Sequence, residues 1–280
     1  MHKKIEKLEA LLCRNNALAI AFSGGVDSVF LAAMAKKILG DKLVLLTLAS
    51  DFQSKQDTAY AIHMAAELGL PHEIINFDPW MDEALLKNNK NRCYICKQKG
   101  FLLLRMAADH RGIATLAHGV NQDDLSDYRP GLQATHELGI ISPLLAAGLT
   151  KEEIRKASRE MGLKTWDMPS QSCIATRIPY GEKITKLKLQ QINNAEVALK
   201  QFGFTGVRVR YHGDLARIES ISEDIEKISS LAYRKKIAEA LHAVGFKFIS
   251  LDLEGYASGS MNRVLNSPVI RDLGENKLPT

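Results

Sequence analysis

The stretch Ala19-Ile20-Ala21-Phe22-Ser23-Gly24-Gly25-Val26-Asp27-Ser28 constrains this chain more than any other. Leu18 to Phe22 is a short, bounded apolar run that suits a strand buried on both faces, as in a parallel sheet. Beyond the glycines, Val26, Val29, Phe30, Ala33, Met34 and Ile38 recur at helical spacing, and Gly40 closes the segment as a C-cap. A strand, a glycine turn and a helix in that order open the helix N-terminus at the carboxyl edge of the sheet. Unpaired backbone N–H groups and the positive end of the helix dipole then face whatever lies above the turn, and an anion is the natural guest. Gly24 and Gly25 let backbone approach a phosphate closely, Ser23 and Ser28 add hydroxyl donors, and Asp27 is placed to hold a magnesium ion bridging phosphate oxygens. The Gly-Lys-Ser/Thr ending of a Walker loop and the Gly-x-Gly-x-x-Gly of a dinucleotide fingerprint are both missing.

At 280 residues the chain can bury one large core or two modest ones. No apolar run reaches the roughly 18 residues of a membrane helix, and Met1-His2-Lys3-Lys4-Ile5-Glu6 leads into an amphipathic helix instead of a signal sequence, so a cytoplasmic location is expected. The net charge of +5 does not call for nucleic acid as a partner and is compatible with a phosphate-rich small-molecule substrate.

In chain order, helices are expected over 3–14, 54–69, 97–110 and from Thr150 to Gly162, with strands over 43–48, 72–77 and 114–119. Thr150 and Glu153 have the spacing of a capping box. Strands alternating with helices argue for an α/β fold, a doubly wound parallel sheet with ligands at the carboxyl ends of the strands. One such end carries Asn121, Asp123, Asp124 and Asp127, an acidic loop suited to magnesium or substrate. From about residue 185 the pattern changes to a helix to 201, strands over 207–211 and 215–219, a long helix to 244 and a strand over 246–251. This divides the chain into 1–184, carrying the loop, and 185–280, a smaller α+β C-terminal domain for substrate or assembly. The tail after Asn262, with Pro268, Gly274 and Pro279 among polar residues, is expected to be partly disordered.

Four cysteines complete the picture. Cys13, beside Leu11 and Leu12, reads as a small buried hydrophobe. Cys93 and Cys96 form a Cys-x-x-Cys in a stretch with Lys87, Lys90, Arg92, Lys97 and Lys99 and no acid over 87–99, a setting that favours thiolates. Cys173 lies in the segment joining the two halves, and Arg177 four residues on is a candidate bidentate clamp for a phosphate. Three cysteines suit a [4Fe–4S] cluster held by Cys93, Cys96 and Cys173 with one iron left open; zinc, a redox pair and unrelated thiols are the alternatives.

Ser23-Gly24-Gly25-Val26-Asp27-Ser28 resembles the PP-loop of the ATP pyrophosphatases. Together with Arg92-Cys93-Tyr94-x-Cys96-Lys97, Asn121-x-Asp123-Asp124-x-x-Asp127-Tyr128-Arg129-Pro130-Gly131, Cys173-x-Ala175-x-Arg177-Ile178-Pro179-Tyr180-Gly181 and Leu251-Asp252-Leu253-x-Gly255-Tyr256, it resembles the LarE family of sulfur transferases over nearly the whole chain. The resemblance implies that the loop, Asn121, Asp124 and Asp127 bind ATP and magnesium, and that Asp27, Lys97, Cys173 and Arg177 are catalytic. It implies adenylylation of a carboxylate of pyridinium-3,5-biscarboxylic acid mononucleotide and its conversion to a thiocarboxylate for the nickel-pincer nucleotide of lactate racemase. In single-cysteine members the thiol matching Cys173 surrenders its sulfur; three cysteines imply a cluster sulfide donated instead. Arg208 and Arg210 alternate onto one strand face and are candidates for the mononucleotide phosphate, with Glu219 on the next strand. The family pattern has an Arg after the late Gly-Tyr where this chain has Ala257, so part of the phosphate site is either missing or supplied by Arg263. Family members form homo-oligomers. The rival readings are a tRNA thiolase of the same superfamily, with the basic stretch meeting phosphate backbone, and a non-enzymatic nucleotide- or cluster-binding protein.

Overall fold

The computed structural model describes residues 1–126, 130–169, 172–257 and 259–266. Asp127 and most of the polar tail therefore lie outside the described residues. The chain begins with α1 (His2–Leu12), β1 (Leu18–Ala21), α2 (Val26–Leu39), β2 (Leu43–Ala49), α3 (Lys55–Glu67) and β3 (His72–Asn76). There follow α4 (Glu83–Leu86), α5 (Arg92–His110), β4 (Leu116–His118), α6 (Pro130–Glu137), α7 (Pro143–Ala146) and α8 (Lys151–Glu160). The apolar runs become a four-stranded parallel sheet in the order β3-β2-β1-β4, with Ile20 opposite both Leu45 and Ala117. Successive strands from β1 add on one side, and β4 crosses back to the other. The chain therefore reverses direction of winding between β1 and β4, and a crevice opens above their carboxyl ends.

Helix α2 is apolar nearly all round because it packs on the sheet on one side and on α1 and α8 on the other. On the opposite face of the sheet α5 buries Phe101, Leu104 and Ala108 against Val44, Leu46 and Leu116. Two glycines are required by close approach. A Cβ on Gly24, whose φ is +74°, would stand 2.8 Å from the Ala61 Cα of α3. A Cβ on Gly119 would meet the Ser28 amide at 3.0 Å, so only glycine lets the chain after β4 lie against the start of α2. The capping box of α8 is present, Thr150 Oγ1 accepting from Glu153 N and Glu153 Oε2 accepting from Thr150 N at 3.0 Å.

The C-terminal part holds α9 (Lys186–Gln201), β5 (Arg208–His212), β6 (Leu215–Glu219), α10 (Ser222–Ser229), α11 (Leu231–Ala243) and β7 (Phe248–Leu251). The sheet runs β5-β6-β7, an antiparallel hairpin followed by a parallel strand. Val209, Ala216 and Ile218 face a core with Phe204, Ile237, Leu241 and Phe246. By alternation, Arg208, Arg210, Arg217 and Glu219 take the other face.

Two expectations are corrected here. Cys13 is exposed: the buried stripe of α1 is Leu8 and Leu12, and one residue beyond Leu12 the helix has turned off that stripe. Helix α5 begins at Arg92, ahead of the residue 97 that spacing predicts, so Cys93 and Cys96 stand on its first turns instead of in a loop.

The Glu219 carboxylate is fully buried and accepts from Arg210 Nε at 2.9 Å and Nη2 at 2.6 Å, from Arg217 Nη2 at 3.1 Å and from Ser260 Oγ. Removing its charge leaves the buried Arg210 uncompensated, and Glu219→Gln is expected to cost about 3 kcal/mol or more in urea unfolding; a midpoint unchanged from wild type would contradict this. His118 is also buried, its Nε2 2.7 Å from Ser142 Oγ, and burial, with Lys97 nearby, pushes its pKa down to about 3. The folded state keeps this imidazole neutral while the unfolded chain takes up a proton below about pH 6.5. Stability is therefore whole above that pH and lost as pH falls toward the folded value, by up to ~1.4 kcal/mol per unit. His118→Gln is expected to remove that share of the acid slope, measured by urea unfolding across the same range.

Candidate active site

The glycine turn leaves the N-terminus of α2 open. Gly25 is its N-cap, with φ −79° and ψ 170°, and no side chain caps the first-turn amides. Ser28 Oγ donates to Gly25 O at 3.1 Å and accepts from Ser23 N at 3.3 Å, which folds the loop back over the helix start. Thr47 of β2 donates to Phe22 O at 2.6 Å, leaving its oxygen to accept from His72 Nε2 at 2.7 Å, and this fixes the strand end from which the loop departs. Amides of Gly25, Val26, Asp27 and Ser28 thus converge with no partner of opposite charge built in, the arrangement an anion completes.

Asp27 stands at the edge of this nest. Burial pushes its pKa above the ordinary aspartate value, against the opposing pull of Lys151, while the nearby Asp124 raises it further. Lys151 Nζ lies 2.5 Å from Asp27 Oδ2, and Asn121 Nδ2 donates to Asp27 Oδ1 at 3.2 Å. Asp124 caps the Asn121 amide at 3.0 Å, and Asp123 accepts from Lys151 N at 2.7 Å. Two carboxylates, Asp27 and Asp124, stand beside the anion nest and are hard oxygen donors of the kind that suit a magnesium ion. Lys151 is a residue the sequence reading missed. Its only signal was its place immediately after the Thr150 cap, which delivers it from α8 to the reversal point of the sheet.

A cleft of about 870 Å³ runs from this loop to the thiols. Ser23, Gly25, Val26, Asp27, Ser28, Asn121, Asp124 and Lys151 line one end, Cys96, Lys97, Ser172 and Cys173 the other, and Thr47, Phe52 and Phe101 lie along it. Lys97 Nζ stands 4.9 Å over the Phe101 ring. Cys93, one turn back on α5, does not line the cleft; Arg92 Nη2 donates to its Sγ at 3.4 Å. The expectation that nearby cations favour the thiolate in the Cys-x-x-Cys is corrected at Cys96. Burial, with the charge of Cys173 beside it, pushes the Cys96 thiol up to about 12, and burial raises Cys173 as well despite Arg92. Among the described residues no three His, Cys, Asp or Glu side chains are arranged around a single metal ion. The three cysteines nevertheless share one neighbourhood: Arg92 feels both Cys93 and Cys173, and Cys96 and Cys173 open together on the cleft.

The arginines stand elsewhere. Arg177 is buried and clamps a protein acid: its Nε lies 2.8 Å from Glu196 Oε1 and its Nη2 3.3 Å from Oε2, while Nη1 donates to Ser172 O and Oγ and to Cys173 O. The expected phosphate clamp is instead a brace beneath the Cys173 segment. Arg210 is likewise committed to Glu219 and reaches Thr176 O at 3.2 Å. Arg208 donates to Val207 O and lies 5.4 Å from the Tyr256 ring. None of the three lines the cleft; they form a buried layer between the Cys173 segment and the small sheet. Arg263 is on the surface, paired with Glu254.

Residues 5–124, which include the loop, match the family model described as NAD synthase. An uncharacterized protein of Synechocystis sp. is 38% identical over 265 residues, 95% of this chain and 99% of its own length. The pyridinium-3,5-bisthiocarboxylic acid mononucleotide synthase of Lactiplantibacillus plantarum is 33% identical over 249 residues, 89% of this chain and 90% of that one. A tRNA-specific 2-thiouridylase of Rickettsia felis is more distant, 27% identical over 62% of this chain and 58% of its own. Likeness that runs almost end to end through both chains goes beyond a shared nucleotide loop, and the chain belongs to the LarE family of ATP-using sulfur transferases.

Proposed function

We propose that this protein activates a carboxylate of pyridinium-3,5-biscarboxylic acid mononucleotide with ATP and replaces a carboxylate oxygen by sulfur. The observation that carries the reading is the single cleft with an anion nest at one end and two cysteines at the other. ATP seats its phosphates on the amides of Gly25 to Ser28, and magnesium, held by Asp27 and Asp124, supplies charge neutralisation there. The substrate carboxylate attacks the α-phosphorus, and pyrophosphate leaves with the electrons of the broken P–O bond. Lys151 is within reach of that developing charge once it leaves Asp27. Sulfur then attacks the acyl carbon and AMP departs, with Lys97 facing the cleft where charge builds on oxygen.

Cys93, Cys96 and Cys173 would hold a [4Fe–4S] cluster, whose chemistry supplies a labile sulfide at the iron without a protein ligand. The alternative sulfur source is Cys173 itself, by cleavage of its Cβ–Sγ bond to leave dehydroalanine. We further infer a cytoplasmic homo-oligomer. Exposed Phe248, Leu253 and Leu231 on the small-sheet half favour assembly, and sedimentation as a monomer would overturn it.

Pyrophosphate is expected from ATP only when the pyridinium mononucleotide is present, and Asp27→Asn or Lys151→Met is expected to lower kcat/KM by roughly 100-fold. Release without that substrate, or thiolation of tRNA in its place, would sink the reading. The sulfur source is read by iron and sulfide analysis after anaerobic reconstitution together with intact mass after turnover. The expected result is a cluster with Cys173 intact over several turnovers; one turnover with loss of hydrogen sulfide from Cys173 would make the cysteine the donor.

A further inference from the structure

The thiols come from two separate segments, the first turns of α5 and the Cys173 segment, and the side chains of Asn88 and Arg92 join them. Asn88 is completely buried and left-handed at φ 52°, a conformation that a residue other than glycine keeps only when its surroundings hold it. Its Nδ2 donates to Ile178 O at 3.2 Å and to Pro179 O at 2.8 Å, and its own carbonyl accepts from Gly181 N at 3.0 Å. Its Oδ1 accepts from Arg92 Nη1, and the same Nη1 reaches Ala175 O at 3.0 Å. The other arm of the guanidinium, Nη2, donates to Cys93 Sγ. One planar fork thus holds the backbone two residues beyond Cys173 with one arm and the first cysteine of α5 with the other.

Asn91, the N-cap of α5, makes no side-chain bond to the helix, and on its outer side the start of α5 is held by α6, with Gly131 against Lys97 and Tyr94 donating to Glu137. A helix start without a cap frays, and Cys93 and Cys96 stand where fraying would act. Neither Asn88 nor Arg92 lines the cleft, so neither meets the substrate directly.

We propose that Asn88 and Arg92 are positioning residues for sulfur transfer, fixing Cys93 and Cys96 relative to Cys173. The proposal rests on the sulfur-transfer reading of the cleft, because only there does the separation of these thiols matter. A lysine at 92 would keep the charge but lose the fork, and a glycine at 88 would accept the left-handed backbone but lose the carboxamide.

The test treats the full-length chain, wild type, Arg92→Lys and Asn88→Gly, with dibromobimane, which bridges two neighbouring thiols. Peptide mass spectrometry then measures the share of Cys173 bridged to Cys93 or Cys96. Both variants are expected to lower that share by about 10-fold while ATP affinity stays within about twofold of wild type, the scale on which supporting shells act. Bridging at the wild-type level in both folded variants would overturn the proposal. Should a variant fail to fold, as judged by circular dichroism, the other carries the test, and loss of ATP affinity in step with bridging in both would also overturn it, because the effect would then be general unfolding. Iron analysis runs in parallel. If wild type assembles no cluster yet bridging still falls in the variants, the positioning role stands and the cluster reading alone is lost.

Discussion

A carboxylate buried at the mouth of a helix needs a counter-charge, and this requirement ties the nucleotide end of the protein together. Desolvation alone would tend to neutralise Asp27, and the ammonium of Lys151 at 2.5 Å opposes it. To bring that ammonium to the top of β1, the chain must cross to β4, fold the acidic turn back over the sheet and start α8 at Thr150. Gly119 permits the close passage, Asn121 holds the second oxygen of Asp27, and Asp123 takes the amide of Lys151. The turn after β4 and the start of α8 thus converge on one carboxylate. A cation that already sits on the acid opposes its neutralisation.

Much of this was legible in the residues. Strand β1, the glycine turn and α2 have distinct local signatures, since apolar run, positive-φ glycine and helical spacing each depend only on near neighbours. The same holds for the capping box at Thr150 and for the hairpin around Gly213. Apart from the exposure of Cys13, the features that were missed depend on partners distant in sequence. The helix of Cys93 and Cys96 carries no capping signature at its start, because its N-terminal fastening comes from Asn88, Arg92 and a segment more than 80 residues away. Lys151 looks like any surface lysine in a first turn until the crossing to β4 puts Asp27 in front of it. A local reading recognised that Arg177 and Arg210 would seek acids bidentately, but it could not tell a phosphate from the glutamates supplied by α9 and β6.

The two buried arginine pairs bear on the thiols as well as on stability. Taking both charges of Arg177–Glu196 out of water offsets most of their mutual attraction, so the pair adds little net stability over apolar residues of the same shape. What it does fix is direction. Arg177 spends Nη1 on the carbonyls of Ser172 and Cys173 and the rest of its fork on Glu196, whose Oε1 also accepts from Val209 N of β5 at 3.1 Å. The backbone on which Cys173 rides is thereby indexed to the small sheet, while its front is indexed to the large one through Ile174 N donating to Phe52 O at 2.8 Å.

Burial sets the chemistry of this end of the cleft in the same way. Cys96 and Cys173 sit among Phe52, Leu85, Ile174 and Ile178, an apolar surrounding that disfavours thiolate and holds both sulfurs protonated against the cations beside them. A thiol so placed is a poor nucleophile while it is alone, which guards it from stray electrophiles. Ligation to iron would provide the positive charge that the apolar wall withholds, and it would couple deprotonation of the sulfurs to assembly of the centre. The two ends of the cleft then follow one physical scheme. Each holds a group that its surroundings make reluctant to carry its charge, with a cation set beside it that pulls the other way.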